Sequence, residues 1–167
     1  MQRFDTIGTG RLILRRWQEG DRAPFAELNG DPATLVFFPS TLSREESDEF
    51  VDRIEARFER DGYGLWALEV RRTGEFIGFA GLAPLREDVP NGGGMEIGWR
   101  LARHAWHQGY ATEAARAARD VAFDGAGLPE LSLSPLSLFP AGNSDHRNLC
   151  GSAATPRRDP TLHNLRP

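Results

Sequence analysis

The residues from Gln108 to Thr112 place a glycine directly before a run with helical spacing. Gly109 has no side chain to shield its amide, and the first N–H groups of a helix lack partners within the helix. Those groups carry a partial positive charge, so several of them together hold a phosphate. The stretch therefore favours anion binding, with Thr112 expected as the helix N-cap. A glycine before a capped helix is also ordinary turn chemistry, and this motif alone does not decide between the two.

A second candidate site lies in the segment MEIGWRLA, residues 95–102, whose alternation predicts a strand. Its apolar face consists of Met95, Ile97, Trp99 and Leu101. Glu96 falls on the other face and is the candidate general base, acting directly or through water. A solvated or ion-paired strand carboxylate is the alternative role for Glu96. Gly98 predicts a bulge, or a backbone that another group approaches closely.

The basic residues exclude several kinds of chemistry. All 20 of them are arginine, so Schiff bases, a lysine general base and a P-loop lysine are absent. His104 and His107 lack a third metal ligand at a convincing spacing, and no metal is expected. These exclusions disfavour a nucleotide-triphosphate enzyme.

The elements that position these residues predict an α/β protein built on one mixed sheet, in the order strand, two helices, three strands, loop and helix. The predicted strands are 9–17, 65–70, 75–82 and 95–102. Asp21 is the expected N-cap of a first helix that ends near Gly30. Ser43 and Glu46 have capping-box spacing for a second helix, which Gly62 ends.

The helix after the glycine loop has an unusual buried face. Its members are Ala111, Ala114, Ala115, Ala118 and Ala122, at helical spacing. Because alanine adds little volume, we expect this helix to lie close to the sheet and to end at Gly125.

The stretch from Met95 to Phe123, MEIGWRLARHAWHQGYATEAARAARDVAF, resembles the central acetyl-CoA-binding region of the GCN5-related N-acetyltransferases, the GNAT family. TGRLILRRW with its following Asp21, and GEFIGFAGL, resemble the branch that contains the ribosomal-protein N-terminal acetyltransferases. The usual loop of that branch reads WGQGYATEA. His107 replaces its first glycine, at a position where positive φ is expected. The resemblance covers about residues 9–128 and implies a central, mostly antiparallel sheet flanked by helices.

The resemblance also implies the site residues and the reaction. Acetyl-CoA is the implied co-substrate, without a metal, and an amine attacks its thioester directly. A main-chain N–H around Ile97 to Trp99 is the expected oxyanion donor. Main-chain amides hold the diphosphate, the strand edge pairs with the pantetheine arm, and Asn143 is one further coenzyme contact. The implied coenzyme-binding residues are Ile97, Gly98, Trp99, Leu101, Gln108, Gly109, Tyr110, Ala111, Thr112 and Asn143.

The chain departs from the family after Glu130. Pro135 interrupts the next expected strand, and His146 stands where a serine is expected three residues after Asn143. We therefore expect residues 1–130 to form the acetyl-CoA-binding core and residues 131–167 to be an atypical segment of the same domain. A divergent, truncated or frame-shifted C-terminus, and an incomplete fold there, are the hypotheses for this segment.

Two functional classes follow from the sequence. One is an active N-acetyltransferase that acts on a protein N-terminus or a small amine, and the other is a catalytically impaired acyl-CoA-binding or scaffold protein. The net charge of −4 gives no basic footprint, so no nucleic-acid partner is expected. No apolar run is long enough to span a bilayer, and the single Cys150 fits a reducing compartment. A cytoplasmic location without a membrane partner is expected, and a homodimer stays open.

Overall fold

A computed structural model describes the chain over residues 3–35, 40–85 and 94–133. The strands in these ranges are β1 Thr6–Gly8, β2 Leu12–Arg15, β3 Leu65–Val70, β4 Glu75–Pro84, β5 Met95–Leu101 and β6 Ser132–Leu133. The helices are α1 Arg22–Gly30, α2 Arg44–Asp61 and α3 Tyr110–Asp120. Within the described ranges the strands form one six-stranded sheet in chain order. Neighbouring strands are antiparallel except β5 and β6, which are parallel, so the predicted mixed and mostly antiparallel sheet is confirmed.

The first predicted strand, residues 9–17, is wrong in its bounds because a turn interrupts it. The Thr9 amide donates to the Leu12 carbonyl at 2.9 Å, and the Leu12 amide donates to Thr9 Oγ1 at 3.0 Å. A serine or threonine hydroxyl competes in this way with strand pairing. The chain therefore forms a β1–β2 hairpin, and only β2 was predicted.

The second helix begins and ends as predicted. The Glu46 amide donates to Ser43 Oγ at 3.1 Å, and the Ser43 amide donates to Glu46 Oε2 at 2.7 Å. Gly62 closes the helix in the left-handed conformation with φ 77°. An N-cap residue such as Ser43 contributes about 1 kcal/mol to helix stability.

Helices α1 and α2 cover one face of the sheet through aromatic side chains. The ring of Phe79 on β4 lies 5.8 Å from the Phe25 ring and 5.9 Å from the Phe50 ring, both in edge-to-face geometry. Ring pairs of this type contribute beyond the apolar area that they bury. The centre of this core is therefore fixed by aromatic packing between helices and β4.

Helix α3 covers the opposite face. Ala114, Ala118 and Ala122 are fully buried, which confirms the predicted close approach of helix to sheet. A π-helical turn, Val121–Gly125, continues the helix and ends at the predicted glycine.

Two tryptophans tie separate parts of the core together. Trp17 Nε1 donates to the Leu65 carbonyl at 2.8 Å, and Trp66 Nε1 donates to the Phe4 carbonyl at 2.6 Å. Both indoles are buried. Each satisfies its N–H on main chain, as a buried tryptophan must.

Candidate active site

The loop before α3 contains two residues in the left-handed backbone region. His107 has φ 59° and Gly109 has φ 79°. The expectation of positive φ at His107 is confirmed, and histidine is among the residues that tolerate it best. The helix begins at Tyr110 with Gly109 as its N-cap, so the prediction of Thr112 as the cap is wrong. The two left-handed residues end the loop earlier, and Thr112 lies inside the first helical turn.

The first amides of α3 are open donors. The first helical hydrogen bond runs from the Glu113 amide to the Gly109 carbonyl at 3.1 Å, so the amides of Tyr110, Ala111 and Thr112 precede the helical ladder. No side chain caps them, and no residue in the described ranges accepts from them. Gly109 and Thr112 are exposed, while Tyr110 and Ala111 are half-buried. The predicted anion-binding donors are therefore accessible.

Arg11, which follows the β1–β2 turn, contacts this loop from the side. Its Nη1 donates to the Gln108 carbonyl at 2.8 Å, and its guanidinium carbon lies 4.7 Å from the centre of the Tyr110 ring. Its Nε and its main-chain amide donate to the two Glu113 carboxylate oxygens at 2.7 Å each. Thr9 Oγ1 donates to the same carboxylate at 2.6 Å. The loop and the first turn of α3 are thus held by the hairpin at the far end of the chain.

These hydrogen bonds change the acidity of Glu113. Burial alone would raise the pKa of this carboxyl, but the donors from Thr9 and Arg11 outweigh it and hold the pKa below its usual range. Glu113 is therefore ionised and neutralised locally by Arg11.

A groove of about 1030 Å³ runs between α3 and the β1–β2 hairpin. Gly109 and Thr112 lie on its wall, together with Arg11 and Arg116. Glu113 lines the same wall and is paired with Arg11, so the open helix start and Arg116 are the groups that favour an anionic ligand at this end of the groove.

The prediction of a bulge at Gly98 is wrong for the pairing of β5 with β4, which has no bulge. The pairing runs without a shift from Gly78 opposite Leu101 to Pro84 opposite Met95. Gly98 lies opposite Gly81, and a pair without side chains fits a regular ladder. Close backbone approach does occur at its partner Gly81, where an added Cβ would lie 2.1 Å from the Gly64 carbonyl oxygen.

The other edge of β5 is paired over only two residues in the described part of the chain. Glu96 pairs with Ser132, and Ile97 pairs with Leu133. From Gly98 to Leu101 no described strand lies against this edge. Main-chain donors and acceptors on such an edge are available to an extended ligand.

Glu96 is fully buried, and neither of its carboxylate oxygens has a hydrogen-bond partner among the described residues. Burial raises its pKa to about 8. This burial argues against a solvated carboxylate, and no ion-pair partner of Glu96 lies among the described residues. A carboxyl in this state exchanges a proton near neutral pH, as a general base must.

A buried polar cluster on the same face of the sheet was not predicted. Arg100 donates to Asn29 Oδ1, and Asn29 Nδ2 donates to Ser47 Oγ at 2.8 Å. All three side chains are buried. The available signal was Ser47, a polar residue on the stripe that Val51 continues at helical spacing. The cluster fixes α1 and α2 against the strand that carries Glu96.

Two hydrogen bonds connect the end of β5 to the glycine loop. Trp106 Nε1 donates to the Leu101 carbonyl at 2.8 Å, and Gln108 Nε2 donates to the His104 carbonyl at 2.7 Å. The strand edge and the open amides thus belong to one continuous, internally bonded stretch. Of the residues implied for the coenzyme, Asn143 lies outside the described residues, and the others lie on this stretch.

The described ranges contain no cluster of three or more His, Cys, Asp or Glu residues suited to a metal ion. No helix in these ranges has the length and hydrophobicity needed to cross a membrane.

Comparison with known proteins identifies the family. Residues 11–137 match the acetyltransferase (GNAT) domain, and the chain belongs to the GNAT acetyltransferases. It is therefore an acyltransferase of a family that uses acetyl-CoA as co-substrate.

Individual relatives agree with this assignment. The chain is 36% identical over 117 residues to the uncharacterized protein YkkB of Bacillus subtilis, covering 70% of this chain and 67% of YkkB. It is 32% identical to the acetyltransferase from Agrobacterium tumefaciens strain C58, with a TM-score of 0.63 and coverage of 75% and 71% of the two chains. RimL, a ribosomal L7/L12 α-N-protein acetyltransferase in complex with coenzyme A, shares the fold at 16% identity, with a TM-score of 0.53 and coverage of 72% and 70%.

Proposed function

We propose that this protein transfers the acetyl group of acetyl-CoA to a primary amine, with a protein N-terminal α-amine as the preferred class of acceptor. The observation that carries the proposal is the run of open amides at the start of α3, joined without interruption to the part of the β5 edge, Gly98 to Leu101, that no described strand covers. The implied ligand has a diphosphate and an extended pantetheine arm, and these need such donors and such an edge.

The residues from Gln108 to Thr112 hold the diphosphate through their main-chain amides. The edge from Gly98 to Leu101, beyond the residues that β6 pairs, binds the pantetheine arm and brings the thioester beside the middle of β5. Acetyl-CoA supplies the activated acetyl group. A main-chain N–H between Ile97 and Trp99 then donates to the oxygen on which negative charge develops.

Glu96 accepts the proton of the attacking amine, directly or through a water molecule. Its carboxyl has no competing hydrogen-bond partner in the described part of the chain. Gly98 and Gly81 form the next cross-strand pair on the same face of the sheet, so neither position puts a side chain beside Glu96. The proposed proton path along the sheet therefore passes only glycines on this face of β4 and β5.

Proton transfer favours an α-amine over a lysine side chain. The pKa of Glu96, about 8, is close to the α-amine value of about 7.7 to 8.0 and well below the lysine value of about 10.4. When the pKa values of the ammonium group and of Glu96 are similar, transfer of the proton between them costs little free energy. The fold shared with RimL supports the same class of acceptor and the ribosomal-protein branch.

The alternative is an acyl-CoA-binding or scaffold protein with impaired catalysis. The observation that favours it is the end of the family match at residue 137, together with His146 at the position where a serine is expected. Residues 131–167 belong, in our proposal, to the same domain as the core at 1–130. The pairing of β6 with β5 supports this, because it carries the sheet past residue 130.

Two measurements test the proposal. Calorimetric titration with acetyl-CoA measures binding, and release of free coenzyme thiol measures transfer. The acceptors are a lysine-free peptide with a free N-terminus and an N-blocked peptide with one lysine. We expect binding, and thiol release that depends on the free N-terminus. Binding without amine-dependent thiol release supports the scaffold alternative, and absence of binding refutes both.

A further inference from the structure

We propose that Arg11 is a positioning residue for acetyl-CoA, which aims the diphosphate-binding amides by holding the Gln108 carbonyl and Glu113 together. The inference rests on the proposed placement of the coenzyme at the start of α3. It assigns no chemical step to Arg11.

The contacts of Arg11 span both sides of the turn into α3. Its Nη1 binds the Gln108 carbonyl at 2.8 Å before the turn, and its Nε binds Glu113 Oε2 at 2.7 Å after the turn. The planar guanidinium fixes the relative positions of these two donors. One rigid group therefore sets the distance between the Gln108 carbonyl and the first helical turn.

The Gln108 contact also sets the direction of a donor. In a trans peptide unit the C=O and the following N–H point in opposite directions. When Arg11 holds the Gln108 carbonyl on one side of the loop, the Gly109 N–H must point to the other side. A carbonyl turned toward the diphosphate would repel it, and Arg11 prevents that rotation.

Glu113 gives the arrangement a further consequence. It lies in the first turn of α3, where a free carboxylate would compete with a bound anion for the helix amides and repel its charge. Arg11 and Thr9 engage both carboxylate oxygens and keep Glu113 on the hairpin side. Glu113 in turn anchors Arg11 while it holds Gln108.

Simple charge attraction makes a different prediction from positioning. If Arg11 acts only as a positive charge near the diphosphate, Glu113→Gln removes a nearby negative charge and tightens acetyl-CoA binding. If Arg11 must be anchored to aim the loop, Glu113→Gln weakens binding, although the net charge becomes more favourable. The sign of the change therefore separates the two roles.

The experiment compares acetyl-CoA with S-acetylpantetheine, which carries the thioester and lacks the diphosphate. For Arg11→Ala we expect Kd for acetyl-CoA to rise about tenfold, the size of one lost charge-assisted hydrogen bond. The kcat/KM for S-acetylpantetheine should stay within about twofold, because this substrate lacks the diphosphate and does not use the amides that Arg11 positions. Arg11→Lys should recover part of the affinity, and Glu113→Gln should weaken acetyl-CoA binding.

Arg119→Ala is the matched control. Arg119 also lies in an ion pair beside α3, with Asp120, and its side chain is 53% exposed against 51% for Arg11. The Arg119→Ala substitution should leave unchanged both the Kd for acetyl-CoA and the kcat/KM for S-acetylpantetheine. Thermal unfolding of each variant verifies that it is folded.

The outcomes separate this inference from the proposed function. If wild-type protein does not bind acetyl-CoA, the proposed function fails. If wild-type protein binds and Arg11→Ala binds equally well, or if Glu113→Gln tightens binding, only the positioning role is overturned. An equal loss with acetyl-CoA and S-acetylpantetheine would likewise overturn it, since the effect would not depend on the diphosphate.

Discussion

Gly109 and Arg11 are packed so that a Cβ atom on the glycine would lie 3.4 Å from Arg11 Nη2. The same glycine has φ 79°, in the left-handed region. The backbone conformation therefore selects against a side chain at this position, whereas the guanidinium would meet the added Cβ only at van der Waals contact.

Gly109→Ala is expected to lower the free energy of unfolding by about 1 kcal/mol or somewhat more, because a non-glycine residue is strained in this region. It is also expected to weaken acetyl-CoA binding, because relief of the strain moves the amides that follow. Denaturant unfolding and calorimetric titration measure the two effects.

Gly30→Ala is the control for that substitution. Gly30 is the last residue of α1, and an added Cβ would meet nothing within 4 Å. Stability should stay unchanged or rise slightly, with coenzyme affinity unaffected. Equal behaviour of the two alanine variants would contradict the strain at Gly109.

Glu96→Gln is expected to lower kcat by about 10²- to 10⁴-fold, the usual contribution of a general base. In wild-type protein kcat/KM should rise with pH through about 8, because Glu96 must lose its proton to act. The acceptor in this assay should be a weakly basic amine that stays unprotonated over the whole pH range, so that only the titration of Glu96 appears in the profile. A wild-type profile that is flat near pH 8, or one that Glu96→Gln leaves unchanged, would exclude Glu96 as the base.

The same carboxyl makes stability depend on pH. The pKa of Glu96 is about 8 in the folded protein and near the ordinary glutamate value of about 4.3 when unfolded. Between these values the unfolded chain binds fewer protons, so this contribution to stability is complete at low pH and is lost as pH rises. Glu96→Gln mimics the neutral form and should therefore be more stable than wild type by a few kcal/mol at about pH 9.

Measurement of that difference requires unfolding curves of both proteins at two pH values. At about pH 5 the difference should be only about 1 kcal/mol, because Glu96 is still protonated in the folded state although it is already mostly ionised in the unfolded one. A difference that does not grow with pH would show that the carboxyl ionises freely in the folded protein.

The alanine face of α3 yields a packing prediction. Ala118 is fully buried against the sheet. Ala118→Leu should lower the free energy of unfolding by about 1 to 3 kcal/mol through overpacking. Ala23→Leu on the exposed side of α1 should change it little. If chemical denaturation shows equal effects for the two, α3 does not lie as close to the sheet as its alanines indicate.

Local patterns predicted the elements well where one force dominates. The capping box at Ser43 and Glu46 and the left-handed Gly62 follow from side-chain chemistry within a few residues, and they are confirmed. The close approach of α3 follows from the small volume of alanine at Ala114 and Ala118 and is also confirmed. The sheet order agrees with the expected mixed fold.

Features that depend on distant residues were not predicted. Arg11 and Glu113 are 102 positions apart, and nothing within either segment specifies the other as partner. The burial of Glu96 was hidden because alternation along β5 indicated one polar face, whereas Glu96 and Arg100 on that face are both buried. Thr112 failed as a cap because residues before it, His107 and Gly109, had already turned the chain.

The placement of the tryptophans gives the protein two separate optical reporters. Trp17 and Trp66 are enclosed in the core and hydrogen-bonded to main chain, so their emission changes when the chain unfolds. Trp99 on β5 and Trp106 before the glycine loop are only partly covered and flank the proposed coenzyme path. Quenching at those two indoles on addition of acetyl-CoA, without a shift of the core signal, would follow occupancy in solution without any label.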